Sequence, residues 1–209
     1  MKLVLCNPTY GPVQPECKTS LVRAVIFASR HRDFEWIGDV SMDRLMWSKS
    51  RTLALKSAQE LGADGMLWVD SDMIIPQQAF CQLVARGEDL VSALYFDRYA
   101  PYRAAAWREN NKRIETWTHD LEPVHGFGFG CCFTSKKVME IVGEFEFEEE
   151  NGEDFQFCAK AMALGITPML DSSIVCRHVD GLHSIGEMEY LLHNNLYRAA
   201  PQLPPDGTY

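Results

Sequence analysis

The sequence predicts an α/β protein built on a mostly parallel, doubly wound sheet flanked by helices, with a small antiparallel hairpin region. Three observations carry this. Apolar strand-like runs alternate with helical periodicity over the first 95 residues, the pattern of βαβ units joined by right-handed crossovers. One run, Met66-Leu67-Trp68-Val69, is apolar throughout, as suits a strand buried on both faces. Beyond residue 95 the alternation gives way to short runs around Glu109-Asn110-Asn111-Lys112, which reads as a hairpin.

Each element has its own signal. Lys2 to Cys6 is a short apolar strand that breaks at the turn-rich Asn7-Pro8-Thr9-Tyr10-Gly11-Pro12. Leu21, Val22, Val25 and Ile26 recur at helical spacing, and a strand follows over Phe34 to Val40. A second helix runs from Asp43 to Leu61 and stops at Gly62. After the strand into Asp70, Pro76 suits the first turn of a helix, and Leu90 to Tyr95 makes a fourth strand. Arg103 to Trp107 and Arg113 to Trp117 flank the hairpin turn. Val124 to Thr134 is glycine-rich and extended. Helices follow over Ser135 to Val142 and Asp154 to Leu164, the latter closed by Gly165, and Ile174 to Cys176 is a last short strand.

At 209 residues and 46% hydrophobic content the chain can bury one good core. One domain is therefore expected over residues 1–200, with a mobile tail over 201–209. The net charge of -9 argues against a surface devoted to polyanions, although a local basic strip can coexist with it. The sequence has no apolar run of about 18 residues and no charged-then-apolar segment at Met1, so a cytoplasmic protein without a transmembrane segment is expected. Seven cysteines, an odd number with no C-x-x-C pair, fit reduced thiols in the core. Cys131 and Cys132 adjoin in an extended run, where they face opposite ways and cannot grip one ion.

The apolar run ending at Val69 stops at Asp70-Ser71-Asp72. Ligands of open α/β sheets bind just past the carboxyl ends of the strands, and two carboxylates one residue apart can converge on a hard cation. The same residues also fit an ordinary acidic turn. Gly126, Gly128 and Gly130 alternate inside an extended segment, which lets either a ligand or another part of the protein approach closely. Gly152-Glu153-Asp154 opens a helix behind the acidic loop of Glu146, Glu148 and Glu149, where an acid is commonly a cap. His178 follows the apolar strand Ile174-Val175-Cys176, and a neutral imidazole there could complete a site begun by the two aspartates.

In this order the parts resemble the GT-A glycosyltransferases, specifically the small family 2-like group, from Lys2 to about Asp180. The resemblance rests on the strand and loop through Asn7-Pro8-Thr9-Tyr10, on Arg51, and on Trp68 to Met73 as the D-x-D motif. It continues through Gly126 to Cys132 before a helix, Gly152-Glu153-Asp154 as the catalytic-base motif, and Arg177-His178 as the late metal-binding histidine. It implies a GT-A fold and a divalent cation, Mn2+ or Mg2+, held by Asp70, Asp72 and His178, with Asp72 the direct ligand and Asp70 also reaching the donor. Pro8, Thr9, Tyr10, Arg51, Asp70 and Ser71 would then line the nucleotide pocket. Asp154 would be the base, with Glu153 beside it. Two features depart from the family: Arg51-Thr52 stands where Arg-Asn is frequent, and a long C-terminal acceptor region is nearly absent.

The expected function is a metal-dependent transfer of a sugar from a nucleotide-diphosphate donor, a UDP-sugar, to an acceptor hydroxyl. One base without a second nucleophile favours inversion. A glycan or small carbohydrate is the first acceptor class. A hydroxylated base in nucleic acid is the second, because Arg98, Tyr99, Tyr102, Arg103, Trp107 and Arg108 interleave charge with aromatic rings. Nucleotidyl transfer competes, although Asn7 to Pro12 offers one glycine and no basic residue to grip phosphates. A catalytically silent nucleotide-sugar-binding module is the third alternative.

Overall fold

The computed structural model describes residues 1–9, 13–30, 34–41, 47–145, 152–180 and 183–199. In chain order its first half forms β1 (Lys2–Cys6), α1 (Pro15–Ser29), β2 (Glu35–Asp39), α2 (Trp47–Glu60), β3 (Gly65–Val69), β4 (Met73–Ile74), α3 (Ala79–Ala85) and β5 (Leu90–Leu94). Next come β6 (Ala106–Arg108), a 3-10 turn over Glu109–Asn111, β7 (Lys112–Arg113), β8 (Leu121–Pro123), β9 (Gly126–Phe127) and β10 (Cys131–Ser135). The remainder is α4 (Lys136–Val142), α5 (Gly152–Ala163), β11 (Met169–Val175), β12 (Arg177–Asp180), β13 (His183–Ile185) and α6 (Glu187–Ala199). Tyr10, the expected helix start at Asp43, the acids Glu146, Glu148 and Glu149, and the expected tail over 201–209 lie outside the described residues.

Seven strands make the central sheet, in the order β2-β1-β3-β10-β5-β11-β8. β1 is parallel to both β2 and β3, and β5 is parallel to β11. β10 runs antiparallel between β3 and β5, and β8 is an antiparallel edge. The expected α/β class with a mainly parallel sheet holds. β10 enters antiparallel because no crossover helix separates it from β5; the intervening chain is spent on short strands.

Strand alternation divides the core into two layers. Leu3, Leu67, Val91 and Phe133 face the layer that contains Phe80 and Leu83 of α3. Val4, Met66, Trp68 and Cys132 face the opposite layer, with Leu55 of α2, Met139 of α4 and Phe157 of α5. Cys131 and Cys132 accordingly fall on different faces, and all seven cysteines are free. Among the described residues no helix is long and apolar enough to cross a membrane.

Several boundaries differ from expectation, each for a physical reason. α3 starts at Ala79 because Pro76 lies in the preceding turn, its carbonyl accepting from the Ala79 N–H at 3.0 Å. The hairpin is real but short, pairing Trp107 with Arg113 and Arg108 with Lys112. β11 begins at Met169, well before Ile174, because buried Asp171 takes a hydrogen bond from Arg86 Nε at 2.6 Å, so a turn-like Asp-Ser-Ser continues the strand. β4, β8, β12, β13 and α6 were not anticipated. Glu189 reaches back to the Gly186 N–H at 2.8 Å, a capping arrangement that marks the start of α6.

Candidate functional site

The site lies past the carboxyl end of β3, where the first two carboxylates of interest separate. Asp70 begins a turn, its N–H bonded to the Gly130 carbonyl at 3.0 Å and its carbonyl to the Met73 N–H at 3.2 Å. β4 starts at once and pairs with β12, setting His178 opposite Met73. The Val179 N–H also donates to the Asp72 carbonyl at 2.8 Å. That pairing, rather than the main sheet, returns the late histidine to the first acidic motif.

Asp72 and His178 meet there. His178 Nε2 lies 3.2 Å from Asp72 Oδ2, and Arg98 Nη2 donates to the same oxygen at 2.6 Å. His178 Nδ1 faces the Phe96 carbonyl at 2.9 Å. A carbonyl only accepts, so Nδ1 carries hydrogen and Nε2 is left to face the carboxylate. Burial opposes charge on Asp72, yet its hydrogen bond and Coulomb attraction to His178, with Arg98, hold it below the usual carboxylate range. Burial likewise opposes charge on His178, and Asp72 outweighs it, raising the imidazole.

Asp70 is turned away from this pair. Both its oxygens accept from Arg51 Nη2, at 3.0 and 3.2 Å. Arg51, on α2, is 4% exposed, and its Nη1 donates to Glu153 Oε1 at 2.9 Å and to Asp154 Oδ1. Its guanidinium also lies 5.5 Å from the Phe129 ring centre. Burial alone would lower the Arg51 pKa; Asp70 and Glu153 overcome it and raise it further. Burial pushes the Asp70 carboxyl up, with Arg51 opposing. One buried cation thus ties the strand-end acid to both acids of α5.

At the start of α5, Gly152 has φ +69°, and the two acids point differently. Glu153 is buried against Arg51, whereas the Asp154 side chain stays 23% exposed, with Oδ2 accepting from the Phe129 N–H at 3.0 Å. The glycines of the β9–β10 segment prove to serve packing. A Cβ on Gly128 would sit 1.9 Å from the Tyr95 hydroxyl, and one on Gly130 would sit 2.7 Å from the Tyr95 ring. Buried Tyr95 accepts from the Gly130 N–H at 3.2 Å and meets His178 edge-on at 5.8 Å, so it floors the space between the two acid groups. This residue was missed from sequence, where it read only as the end of a strand.

The remaining expected residues are less decisive. Asn7 Nδ2 donates to the Val69 carbonyl at 2.6 Å, which holds the half-buried Pro8 and Thr9 near the end of β3. Ser71 is half-buried in the turn between the aspartates. The basic and aromatic segment does not form a continuous strip. Arg98 is spent on Asp72, Arg108 on Glu122 at 2.9 Å, and Trp107 lies under Arg113 at 4.0 Å, leaving Tyr99 and Arg103 exposed.

Asp72 and His178 offer oxygen and imidazole nitrogen to a shared point, a donor set that suits Mn2+. Among the described residues no group of three His, Cys, Asp or Glu is arranged around one ion.

No protein-family model and no curated protein matches the chain. Solved structures do. A197 from STIV aligns over 90% of this chain and 92% of its own, with TM-score 0.62 and 20% identity. GalNAc-T7, solved with UDP, GalNAc and Mn2+, aligns over 87% of this chain and 43% of its own at TM-score 0.59 and 9% identity. UDP-glucose pyrophosphorylase complexed with UDP-glucose aligns over 95% and 99%, at TM-score 0.54 and 9% identity. At these identities the likeness is one of fold, and the chain has the GT-A fold that glycosyltransferases and nucleotidyltransferases share.

Proposed function

We propose that the protein transfers a sugar from a nucleotide-diphosphate donor, a UDP-sugar, to an acceptor hydroxyl with inversion, using Asp154 as base and a divalent cation, Mn2+ or Mg2+, at Asp72 and His178. The observation that carries this reading is the Asp72–His178 contact at 3.2 Å, facing across Tyr95 from the Arg51-tethered Asp154. The fold neighbour solved with UDP, GalNAc and Mn2+ supports the donor class.

When bound, the cation supplies the positive charge that the departing diphosphate needs. The chain's own residues do the rest. Asp72 Oδ2 and His178 Nε2 would hold it, with His178 oriented by the Phe96 carbonyl. Asp154 takes the acceptor proton: each of its oxygens accepts one hydrogen bond and keeps a second lone pair, and its side chain is partly open. Glu153, buried on Arg51, anchors that arginine, and Arg51 fixes the distance between Asp154 and the strand-end Asp70. Pro8, Thr9 and Ser71 are assigned to the nucleotide side of the cleft. A carbohydrate is the favoured acceptor, because the dispersed basic residues of the 98–108 segment offer no polynucleotide track.

Nucleotidyl transfer is the second reading, favoured by the likeness to UDP-glucose pyrophosphorylase over nearly both whole chains. The Asp154→Asn variant tests the assigned base. Under glycosyl transfer its kcat falls by roughly 10²–10⁴ while donor affinity and melting temperature stay near wild type. Unchanged turnover, or loss of the fold, removes Asp154 as the base.

A further inference from the structure

Asp72 already has a cation. Arg98 Nη2 donates to its Oδ2 at 2.6 Å, on the oxygen that also meets His178 Nε2 at 3.2 Å. This is the position that the proposed divalent ion requires, and a guanidinium and a dication cannot share one carboxylate oxygen without strong repulsion. Arg98 has somewhere else to go. It lines a cleft of ≈ 290 Å³ together with Tyr99, Pro101, Arg103 and His178. Among the described residues that line the cleft the one acid is Asp97, and it is neutralised by Arg113 at 3.2 Å. With Arg98 swung into it, the cleft would present two guanidinium groups beside the ion.

We propose that Arg98 is a built-in stand-in for the divalent cation, which leaves Asp72 when the metal binds and then, with Arg103, takes the phosphoryl oxygens of the entering donor. The proposal deepens the metal-dependent reading above and rests on it. Its consequence is a pair of opposite effects at one side chain. In the free protein Arg98 competes with metal, and in the metal-loaded protein it assists nucleotide.

The test uses the full chain with Mn2+ alone, followed by UDP as probe. Arg98→Ala should bind Mn2+ roughly tenfold more tightly than wild type, the scale of one hydrogen bond to a charged group, as read by titration of the free-ion paramagnetic signal. The Mn2+-loaded variant should bind UDP roughly tenfold more weakly. Arg98→Met, which keeps the apolar stem, should give the same two signs, and melting curves of both variants should match wild type. A purely structural Arg98 would weaken both affinities together, and that result overturns the proposal. Mn2+ affinity equal in wild type and Arg98→Ala also overturns it while leaving the metal reading intact. If neither protein binds Mn2+ better than Asp72→Asn, the proposal and the metal site fail together. If the signs hold but no nucleotide sugar is cleaved, the exchange stands and glycosyl transfer fails.

Discussion

Replacing Arg51 by methionine keeps the stem's volume and removes the one charge that three carboxylates share. Arg51 contacts Asp70, Glu153 and Asp154, whose side chains are 32%, 8% and 23% exposed. Removing one partner of a buried ion pair costs about 3–5 kcal/mol. Asp70 and Asp154 can hydrate, whereas Glu153 cannot, which places the expected loss near the middle of that range, about 4 kcal/mol. For a domain of this size each kcal/mol moves the melting temperature by roughly 2–4 °C, so a drop of roughly 8–16 °C is expected. The loss also has a pH signature. Burial already raises the Asp70 carboxyl and Arg51 opposes that rise, so without arginine the folded state holds this proton to higher pH than the unfolded chain does, and stability falls as pH rises. The deficit against wild type should therefore be larger at pH 8 than at pH 5. Lysine at this position retains charge without the fork and should recover only part of it. Differential scanning calorimetry at both pH values is the assay. A melting temperature within about 2 °C of wild type, with no pH trend, would refute the claim that Arg51 is the hub of the site.

His178→Ala should weaken Mn2+ binding and narrow any preference for Mn2+ over Mg2+, since magnesium takes an all-oxygen shell; equal affinities before and after would remove His178 as a ligand. Because Asp72 raises the His178 pKa, the imidazole of the metal-free protein stays protonated above the ordinary value near 6.5. Mn2+ binding should accordingly weaken as pH falls through that raised value, and a pH-independent Mn2+ affinity contradicts it. The same shift makes the Asp72–His178 pair stabilising below pH ~6.5, with the contribution lost as pH rises through the folded value, which a proton-NMR titration of His178 measures directly. Gly128→Ala drives a methyl into the Tyr95 hydroxyl, 1.9 Å from the ideal Cβ, and should cost about 1–3 kcal/mol by urea melt. Adding Tyr95→Phe should recover part of that cost, and strictly additive losses would show that the two do not collide.

Much of the fold was legible because its signals are local. Apolar runs, helical spacing and glycine stops mark β1, β2, β3 and β5, and Ser135 capping α4 through the Val138 N–H at 3.3 Å is readable as written. The antiparallel entry of β10 was not legible, since strand direction depends on what the chain does between strands. Nor was the polar start of β11, where Asp171 is buried only because Arg86 reaches it from the end of α3. The residues at the site were legible as types at suggestive positions, while their pairing was not. Arg51 reads as a helical arginine, and its junction with Asp70, Glu153 and Asp154 spans a sequence separation of up to 103 residues. The alternating glycines pointed to a close approach, and only the fold identifies Tyr95 as what approaches.

Glycosyl and nucleotidyl transfer differ in which bond of a nucleotide sugar breaks. Incubating the protein with Mn2+ and UDP-sugars, in parallel with a panel of carbohydrate acceptors and with pyrophosphate, and following phosphorus and anomeric-proton resonances, distinguishes the outcomes in one experiment. Cleavage between the anomeric carbon and oxygen should release UDP and a glycoside of inverted configuration, with both lost in Asp72→Asn and Asp154→Asn. Cleavage at the α-phosphorus, seen as sugar phosphate together with UMP or UTP formed from pyrophosphate, would contradict glycosyl transfer and assign the site to nucleotidyl transfer.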